Sequence, residues 1–493
     1  GSDIPPYGIL SHTWEDDGVT FQDLLKDKKL SIAKIKKGYE KITHTCMQAR
    51  FYDLSYAWID TCCINKESSA ELTEGINSMF QWYKNAKVCF AYLSDLPSGV
   101  SVEDGLPKCR WFTRGWTLQE LIAPRQMMFY DQEWQSIGTK DDFCSLISSI
   151  TKIDGDILMG KDHLNTYSVA TRMSWAALRN TTRIEDLGYC LMGLFDVNMP
   201  LLYGEGSKAF RRLQEIIIDR DNDLTIFAWH RGQTRESRWE LFAPSPAAFV
   251  ECSDFVPYSR EAVNPAFSMT NKGLRMENFK SFVKCALEDD KNTLGIPRYL
   301  LLLGFQLGID YWKNIHLALP LSKLGPDVFI PNGRLIERFD DTKSTILNMP
   351  TFFIRPDGFE SSFSRNEMMV HFPRHHRFKI RDSIAESHWD DTRQLFFRPV
   401  HGDLVVLGVL CSVKLGSLIS TWPYVFGIAP VSKILQSAAC FALKITKNYL
   451  HGCFPGTGDK VTIYRGTMSA LKRPKSLILT TYVKFQRMEP RIP

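Results

Sequence analysis

Side chains able to do chemistry collect in three short stretches, Ser11-His12-Thr13-Trp14, residues 58–65 and residues 114–120. On a helix Trp116 and Glu120 stand four residues apart, so the indole and the carboxylate share one face, a turn from each other. A flat aromatic surface near a single negative charge suits a planar ring such as the adenine or nicotinamide of a nucleotide. Ser11, His12, Trp14, Asp60 and Asn65 fall at or just past the ends of runs that read as strands, where open α/β sheets hold their ligands. Each residue also has a purely structural reading. Trp14, Trp58, Trp111 and Trp116 fit a core as well as a ligand stack, Asp60 fits the cap of a turn, and His12 fits a satisfied structural imidazole. Glu120, flanked by Leu118 and Leu121, fits an ion pair with Arg114 or Arg110, because an unpaired buried carboxylate is costly.

Other patterns carry less chemistry. Gly204-Glu205-Gly206-Ser207-Lys208-Ala209 spells a dinucleotide fingerprint, but it follows a helical run instead of a strand and reads as a helix start. Gly456-Thr457-Gly458-Asp459-Lys460 lacks the ending of a phosphate loop and reads as a turn. His371, His375 and His376 have no cysteine or carboxylate at ligand spacing, so no metal site is expected. The twelve cysteines include no Cys-x-x-Cys pair. Several, such as Cys89, sit in apolar runs as small hydrophobes, which points to a reducing, cytoplasmic setting.

The elements that must position these residues follow from periodicity. Residues 7–11 read as a first strand, a helical stretch includes Ile42 and Cys46, and residues 54–60 read as a second strand, apolar on both faces as in the middle of a parallel sheet. Ser68 with Glu71 forms a capping-box signal, and Leu72, Ile76, Met79, Phe80 and Tyr83 continue at helical spacing. Residues 88–93 make a third strand, 110–124 a helix ended by Pro124, and 126–130 a further strand. The alternation predicts a parallel sheet with helices on its faces over residues 1–139. Residues 140–234 read as a helical extension, with helices near 168–178, 184–194 and 208–219. From 235 to 493 short strands near 299–305, 404–413 and 461–464 predict a separate β-rich domain.

A chain of 493 residues exceeds one comfortable core. Its 44% apolar and 23% charged residues are those of a folded protein. A net charge of +5 with no long run of like charge argues against nucleic acid as a partner, and the basic clusters at 374–377 and 472–475 read as solvated surface. The longest apolar stretch, 404–411, falls far short of the roughly 18–20 residues that span a bilayer, so no membrane is expected. The chain opens on Gly1-Ser2, which reads as a cloning scar or the interior of a longer chain, and no secretory leader is read there.

Taken in order, Tyr7-Gly8-Ile9-Leu10-Ser11-His12-Thr13-Trp14, Trp58-Ile59-Asp60-Thr61-Cys62-Cys63-Ile64-Asn65 and Arg114-Gly115-Trp116-Thr117-Leu118-Gln119-Glu120-Leu121 resemble the HET (heterokaryon incompatibility) domain of fungal proteins. Residues 186–206 resemble an extension seen in many members. Two departures stand out: almost nothing precedes the first strand, which would leave an edge of the sheet incomplete, and residues 240–493 carry no motif with an attached activity. The HET domain is similar in layout to the Toll/interleukin receptor (TIR) domain, some of whose members cleave NAD with a glutamate on a helix after the third strand. The resemblance thus implies a TIR/flavodoxin-like α/β sheet and matches Glu120 to that catalytic glutamate. Ser11, His12, Trp14, Asp60, Asn65, Arg114 and Trp116 would then contact the substrate.

Cleavage of the bond between nicotinamide and ribose suits a lone carboxylate. The ribose becomes cationic as in glycoside hydrolysis, and the nicotinamide leaves neutral without needing a proton. The resemblance implies an NAD(+) glycohydrolase linked to incompatibility-type cell death, with NAD or a related nucleotide as substrate, no cofactor and no metal. Two further readings stay open. One is a non-enzymatic signalling module that self-associates or assembles partner proteins, and the other is a biosynthetic enzyme that reuses the nucleotide pocket.

Overall fold

The computed structural model describes residues 4–25, 33–230, 240–253, 255–257, 264–279, 282–286, 297–307, 315–332, 335–340, 344–347 and 349–357, and beyond these only separate strands between residues 369 and 486. The first sheet is built from β1 (Tyr7–His12), β2 (Tyr56–Trp58), β3 (Val88–Tyr92), β4 (Met127–Tyr130) and β5 (Ser136–Thr139), in the order β2-β1-β3-β4-β5. β1 is parallel to β2 and β3, and β3 to β4, whereas β5 returns antiparallel on β4. The result is α/β, with one antiparallel edge strand whose residues, Ser136-Ile137-Gly138-Thr139, show no apolar run.

Alternation along the strands separates two apolar layers. Ile9, Cys89, Ala91, Met127 and Phe129 belong to one layer. Leu10, Val88, Phe90 and Tyr130 belong to the other, together with Ala49 of helix α1 (Tyr39–Phe51). A single helical turn, α2 (Asp60–Cys63), follows β2 directly. Helix α3 (Ser69–Asn85) contributes Ile76, Met79 and Tyr83 to the first layer, and α4 (Thr117–Ile122) contributes Leu118 and Leu121. At the start of α3 the Ser68 hydroxyl accepts from Glu71 N at 3.3 Å, but the Glu71 carboxylate turns to Asn65 N at 3.0 Å. Half of the expected capping box forms, and its other half pins the preceding loop instead.

The single helix expected over 110–124 is interrupted. A 3-10 turn spans Arg110–Thr113, Arg114 is extended (φ −82°, ψ 139°), and α4 starts afterwards. The cause is a backbone clamp from the following segment: Asn180 N donates to Thr113 O at 2.7 Å, and Gly115 N donates to Asn180 O at 2.9 Å. A Cβ on Gly115 would lie 2.5 Å from Thr181 Cγ2, so this close passage requires glycine.

The extension carries α5 (Val169–Ser174), α6 (Asp186–Tyr189), a 3-10 turn at Met192–Phe195 and α7 (Lys208–Arg220). The first two helices are shorter than their periodicity suggests, because the chain between them must run back past Gly115. The Gly204-Glu205-Gly206 stretch is the start of α7, with Gly204 N and Gly206 N both donating to the Glu185 carboxylate, at 2.8 and 3.2 Å. The first apolar layer runs on through Phe210 and Leu213 of α7 to Phe249 and then to Phe282, Phe329 and Phe352. The last three belong to a nine-stranded, mostly antiparallel sheet drawn from residues 267–354. Gln214 of α7 joins the parts as well, accepting from Ala243 N and donating to Ala243 O, each at 3.0 Å.

Among the described residues no helix is long and apolar enough to cross a membrane. His375, His376, the basic clusters at 374–377 and 472–475 and the turn at 456–459 lie outside the described residues.

The clamp predicts that Gly115→Ala lowers stability by about 1–3 kcal/mol, the cost of forcing a methyl into a packed contact. Gly18→Ala, whose added carbon would meet nothing nearer than Glu15 O at 3.6 Å, should stay within about 0.5 kcal/mol of wild type. Thermal unfolding of the two variants side by side checks the difference.

Candidate functional site

Ser11 and His12, adjacent on β1, point to opposite faces of the sheet and begin two different polar groups. On the α3 and α4 face Ser11 is fully buried and its hydroxyl donates to Glu120 Oε2 at 2.5 Å. Trp111 Nε1 donates to Ser11 Oγ at 2.8 Å, so both hydrogen-bonding roles of this serine are filled. Glu120 retains only 6% exposure. Burial raises its carboxyl to about 8, against the lowering effect of the Ser11 hydrogen bond, with the charge of Asp60 raising it further. At neutral pH Glu120 therefore rests as a carboxylic acid. Tyr83 lies beside it: its hydroxyl donates to Leu10 O at 2.8 Å, and its hydrogen bond with Glu120 works, like that of Ser11, to lower the carboxyl without overcoming burial.

Arg179, buried at 6% exposure, approaches from the extension. Its guanidinium donates to Arg114 O and to Thr117 Oγ1, each at 2.9 Å, and its charge works to lower the Glu120 carboxyl without overcoming desolvation. Neither Arg114 nor Arg110 pairs with Glu120 as the structural alternative supposed. Arg114 donates to Thr182 Oγ1 at 3.0 Å and Arg110 to Thr13 Oγ1 at 3.1 Å.

On the α1 face a more open group gathers around Asp60, the first residue of α2. His12 Nε2 donates to Asp60 Oδ1 at 3.1 Å and Trp14 Nε1 to Oδ2 at 2.7 Å. Lys41 Nζ faces His12 Nδ1 at 3.4 Å and donates to Thr13 O at 3.2 Å, which leaves Nε2 to carry the ring hydrogen that points at Asp60. Burial works to raise the Asp60 carboxyl, but His12, Lys66 and Trp14 prevail and hold it below the ordinary aspartate value. Trp14 is 55% exposed, with Lys66 Nζ only 3.5 Å from its ring centre. Lys41, which also pairs with Glu15 at 3.1 Å, Lys66 and Arg110 bring positive charge to the carboxyl end of β1, next to a tryptophan ring open to solvent.

The structure joins Ser11 to Glu120, and His12 and Trp14 to Asp60. Asn65 stays apart from both groups: its side chain accepts from Gln22 Nε2 at 2.7 Å and Glu67 N at 3.1 Å, which makes it a turn residue. Trp116 stands one turn before Glu120, with its backbone helical (φ −62°, ψ −35°). Trp116 Nε1 donates across to Asp186 Oδ2 at 3.2 Å, in the extension, where Tyr203 also donates to Asp186.

Several contributors escaped sequence reading. Lys41, Thr45 and Ala49 form the buried stripe of α1, and a lysine at the end of a buried helical stripe is a signal that was there to be used. Tyr83 reads in the sequence only as part of an apolar helical face, and Trp111 as a core or stacking aromatic, neither as a hydrogen-bonding partner of the site. Nothing local marks Arg179, whose role depends on the clamp at Asn180. A cleft of about 770 Å³ lies elsewhere, between α3 and residues 192–200, and contains none of the residues above. Among the described residues no group of three histidine, cysteine or acidic side chains is arranged to hold a metal.

Comparison with known proteins places this geometry in context. Residues 7–104 match the family described as Heterokaryon incompatibility protein (HET); Glu120 lies beyond the end of that match. A curated relative, Vegetative incompatibility protein HET-E-1 of Podospora anserina, is 46% identical over 231 residues, which cover 45% of this chain and 17% of that protein. The chain therefore spans less than a fifth of the relative's length. No solved structure matches it.

The resting state of Glu120 predicts a pH dependence of stability. Between the ordinary glutamate value of 4.5 and about 8 the folded protein keeps a proton that the unfolded chain has lost. The stability this proton supplies is complete at low pH and is lost as pH rises towards 8. Glu120→Gln, which stays neutral throughout, should gain in melting temperature relative to wild type as pH goes from 5 to 8. Parallel melting curves that do not diverge over that range would show that Glu120 is ionised in the folded state.

Proposed function

We propose that the N-terminal half of this chain cleaves NAD at the bond between nicotinamide and ribose, with Glu120 as the catalytic carboxyl, and that this activity serves an incompatibility-type response. The observation that carries the reading is Glu120 itself, a buried carboxyl held neutral beside the carboxyl end of β1, within reach of Ser11. A strongly perturbed acid at such a position is what a reaction that develops charge requires. The sheet order supports the same reading: in β2-β1-β3-β4, as in flavodoxin-like and TIR-like folds, successive connections leave β1 in opposite directions, and the crevice between β1 and β3 is where such sheets take nucleotides.

The residues divide the work as follows. Lys41, Lys66 and Arg110 supply charge for the pyrophosphate, and the exposed face of Trp14 supplies a stacking surface for a base. Asp60 fixes Trp14 and His12 in place. A nicotinamide ring carries a positive charge, and its arrival beside Glu120 favours loss of the carboxyl proton. The carboxylate then opposes the charge growing on the ribose as the bond to nicotinamide breaks and its electron pair neutralises the ring. Water attacks the ribose carbon, and its proton passes to Glu120, which returns to its resting acid. Overall NAD and water give ADP-ribose, nicotinamide and one proton.

One observation favours assembly as the second reading. β2 is an open edge of the sheet, and Met47, Phe51 and Tyr56 near it are 56%, 82% and 57% exposed, an apolar surface of the sort that pairs with another chain.

Glu120→Gln should fold, bind NAD and release nicotinamide at a rate lowered by about 100-fold or more, the scale for one preorganised electrostatic group. In the wild type kcat/KM should climb with pH and level off above about 8, where free Glu120 is ionised. Undiminished release by a folded Glu120→Gln protein removes Glu120 from the chemistry. A wild type inert towards every nucleotide tried favours the assembly reading.

A further inference from the structure

Cys62 and Cys63 have no part in the chemistry above, although only Thr61 separates them from Asp60 in one of the most distinctive stretches of the sequence. Both lie in α2, the turn whose first residue is the carboxylate gripped by His12 and Trp14. That turn rests on little: Cys62 N and Cys63 N both donate to the same acceptor, Ile59 O, at 3.3 and 2.9 Å. Cys63 is exposed and Cys62 buried. Ile59 N donates to the Cys63 sulfur at 3.4 Å, whereas the Cys62 thiol donates to Ile59 O at 3.8 Å. A backbone donor aimed at the Cys63 sulfur favours its thiolate. The neighbouring Cys62 and the Ile59 N–H hold the Cys63 thiol below its ordinary value, against burial and the charge of Asp60. The neighbouring Cys63, with burial, holds Cys62 protonated. Cys46 on α1 is exposed too, but burial of its sulfur keeps that thiol above its ordinary value.

We propose that Cys62 and Cys63 form a vicinal dithiol that a peroxide converts into an intramolecular disulfide, and that closing this ring unwinds α2 and frees Asp60 from His12 and Trp14. The Cys63 thiolate attacks one peroxide oxygen, the O–O bond breaks, and the departing hydroxide takes a proton to become water, leaving a sulfenic acid. The Cys62 sulfur then attacks the Cys63 sulfur. The S–O bond breaks, and hydroxide leaves with the Cys62 proton as a second water. Two electrons pass from the thiols to the peroxide.

The consequence for α2 is geometric. Consecutive Cα atoms lie about 3.8 Å apart across any trans peptide, short of the roughly 4.4–6.8 Å that disulfides prefer, so the ring is strained. Successive side chains on a helical turn also diverge by about 100° around the axis, so bringing the two Cβ atoms within the roughly 3.5–4.5 Å that the bond needs turns the intervening peptide out of its helical shape, and both backbone bonds to Ile59 O go with it. A strained disulfide is also readily reduced, so the change is reversible. The effect on nucleotide binding rests on the function proposed above, whereas the thiol chemistry does not.

Trypsin releases residues 51–66, between Arg50 and Lys66, as one peptide that holds Cys62, Cys63 and no other cysteine. The full chain is treated with hydrogen peroxide, blocked with iodoacetamide and digested without reductant. The peptide is expected to lose the mass of two hydrogens, to take no label, and to recover both thiols with dithiothreitol. Cys62→Ser should stop at a Cys63 sulfenic acid that dimedone captures, and before oxidation iodoacetamide should label Cys63 about tenfold faster than Cys46 at pH 7. Two freely labelled thiols after peroxide, or a cross-link to the peptide containing Cys46, overturns the proposal. Oxidation should also weaken NAD binding reversibly. If the disulfide forms in a protein whose reduced form never binds NAD, the function proposed above fails while the dithiol stands; if it forms and NAD binding is unchanged, the release of Asp60 is wrong.

Discussion

A carboxyl group taken out of water is far more stable neutral than charged, and much of the N-terminal half is arranged around one such group. Glu120 sits against β1 with its carboxyl group between Ser11 and Tyr83. Keeping it there commits a chain of residues that have no other evident reason to be polar or aromatic in the interior. Trp111 supplies the proton that Ser11 accepts, Thr117 accepts from Arg179 while donating to Trp111 O, and Tyr83 caps Leu10 O. Gly115 is small so that the extension can bring Arg179 close enough to be felt. The helical extension is thus part of the site's electrostatics as well as its packing.

The two carboxyl groups nearest the carboxyl end of β1 are driven in opposite directions. Glu120 is raised by burial, whereas Asp60 is held low by His12, Lys66 and Trp14 despite burial. A pair of acids separated in this way can hold one fixed charge and one movable proton at the same pH. On the proposed reading Asp60 orients the mouth and Glu120 changes charge during the reaction. The two faces of β1 keep these tasks apart, since Ser11 serves one and His12 the other.

Much of this was legible in the sequence where local rules govern. The four parallel strands of the first sheet, α3 and the start of α7 follow from alternation, helical spacing and turn residues, and Ser11, His12, Trp14 and Asp60 do lie at or just past strand ends. What escaped was decided by contacts distant along the chain. The break before α4 is imposed by Asn180 and Thr181, some 65 residues later in the contact between Arg114 and Arg179. The partner of the Trp116 indole, Asp186, likewise comes from the extension. Asn65 looked like a ligand residue because it ends a distinctive motif, yet its amide is used by its own turn. β5 was invisible because an edge strand with little apolar content gives no periodic signal.

The central claim is that Glu120 is a neutral acid at rest and ionises when a cationic ring is beside it. Infrared difference spectroscopy of wild type against Glu120→Gln reads this directly, because a protonated carboxyl and a carboxylate absorb in separate regions. The account predicts a protonated-carboxyl band at pH 7 that is present only in the wild type and disappears as NAD saturates the protein. A wild type with no such band at pH 7, or with a band that persists unchanged when NAD is bound, would contradict it.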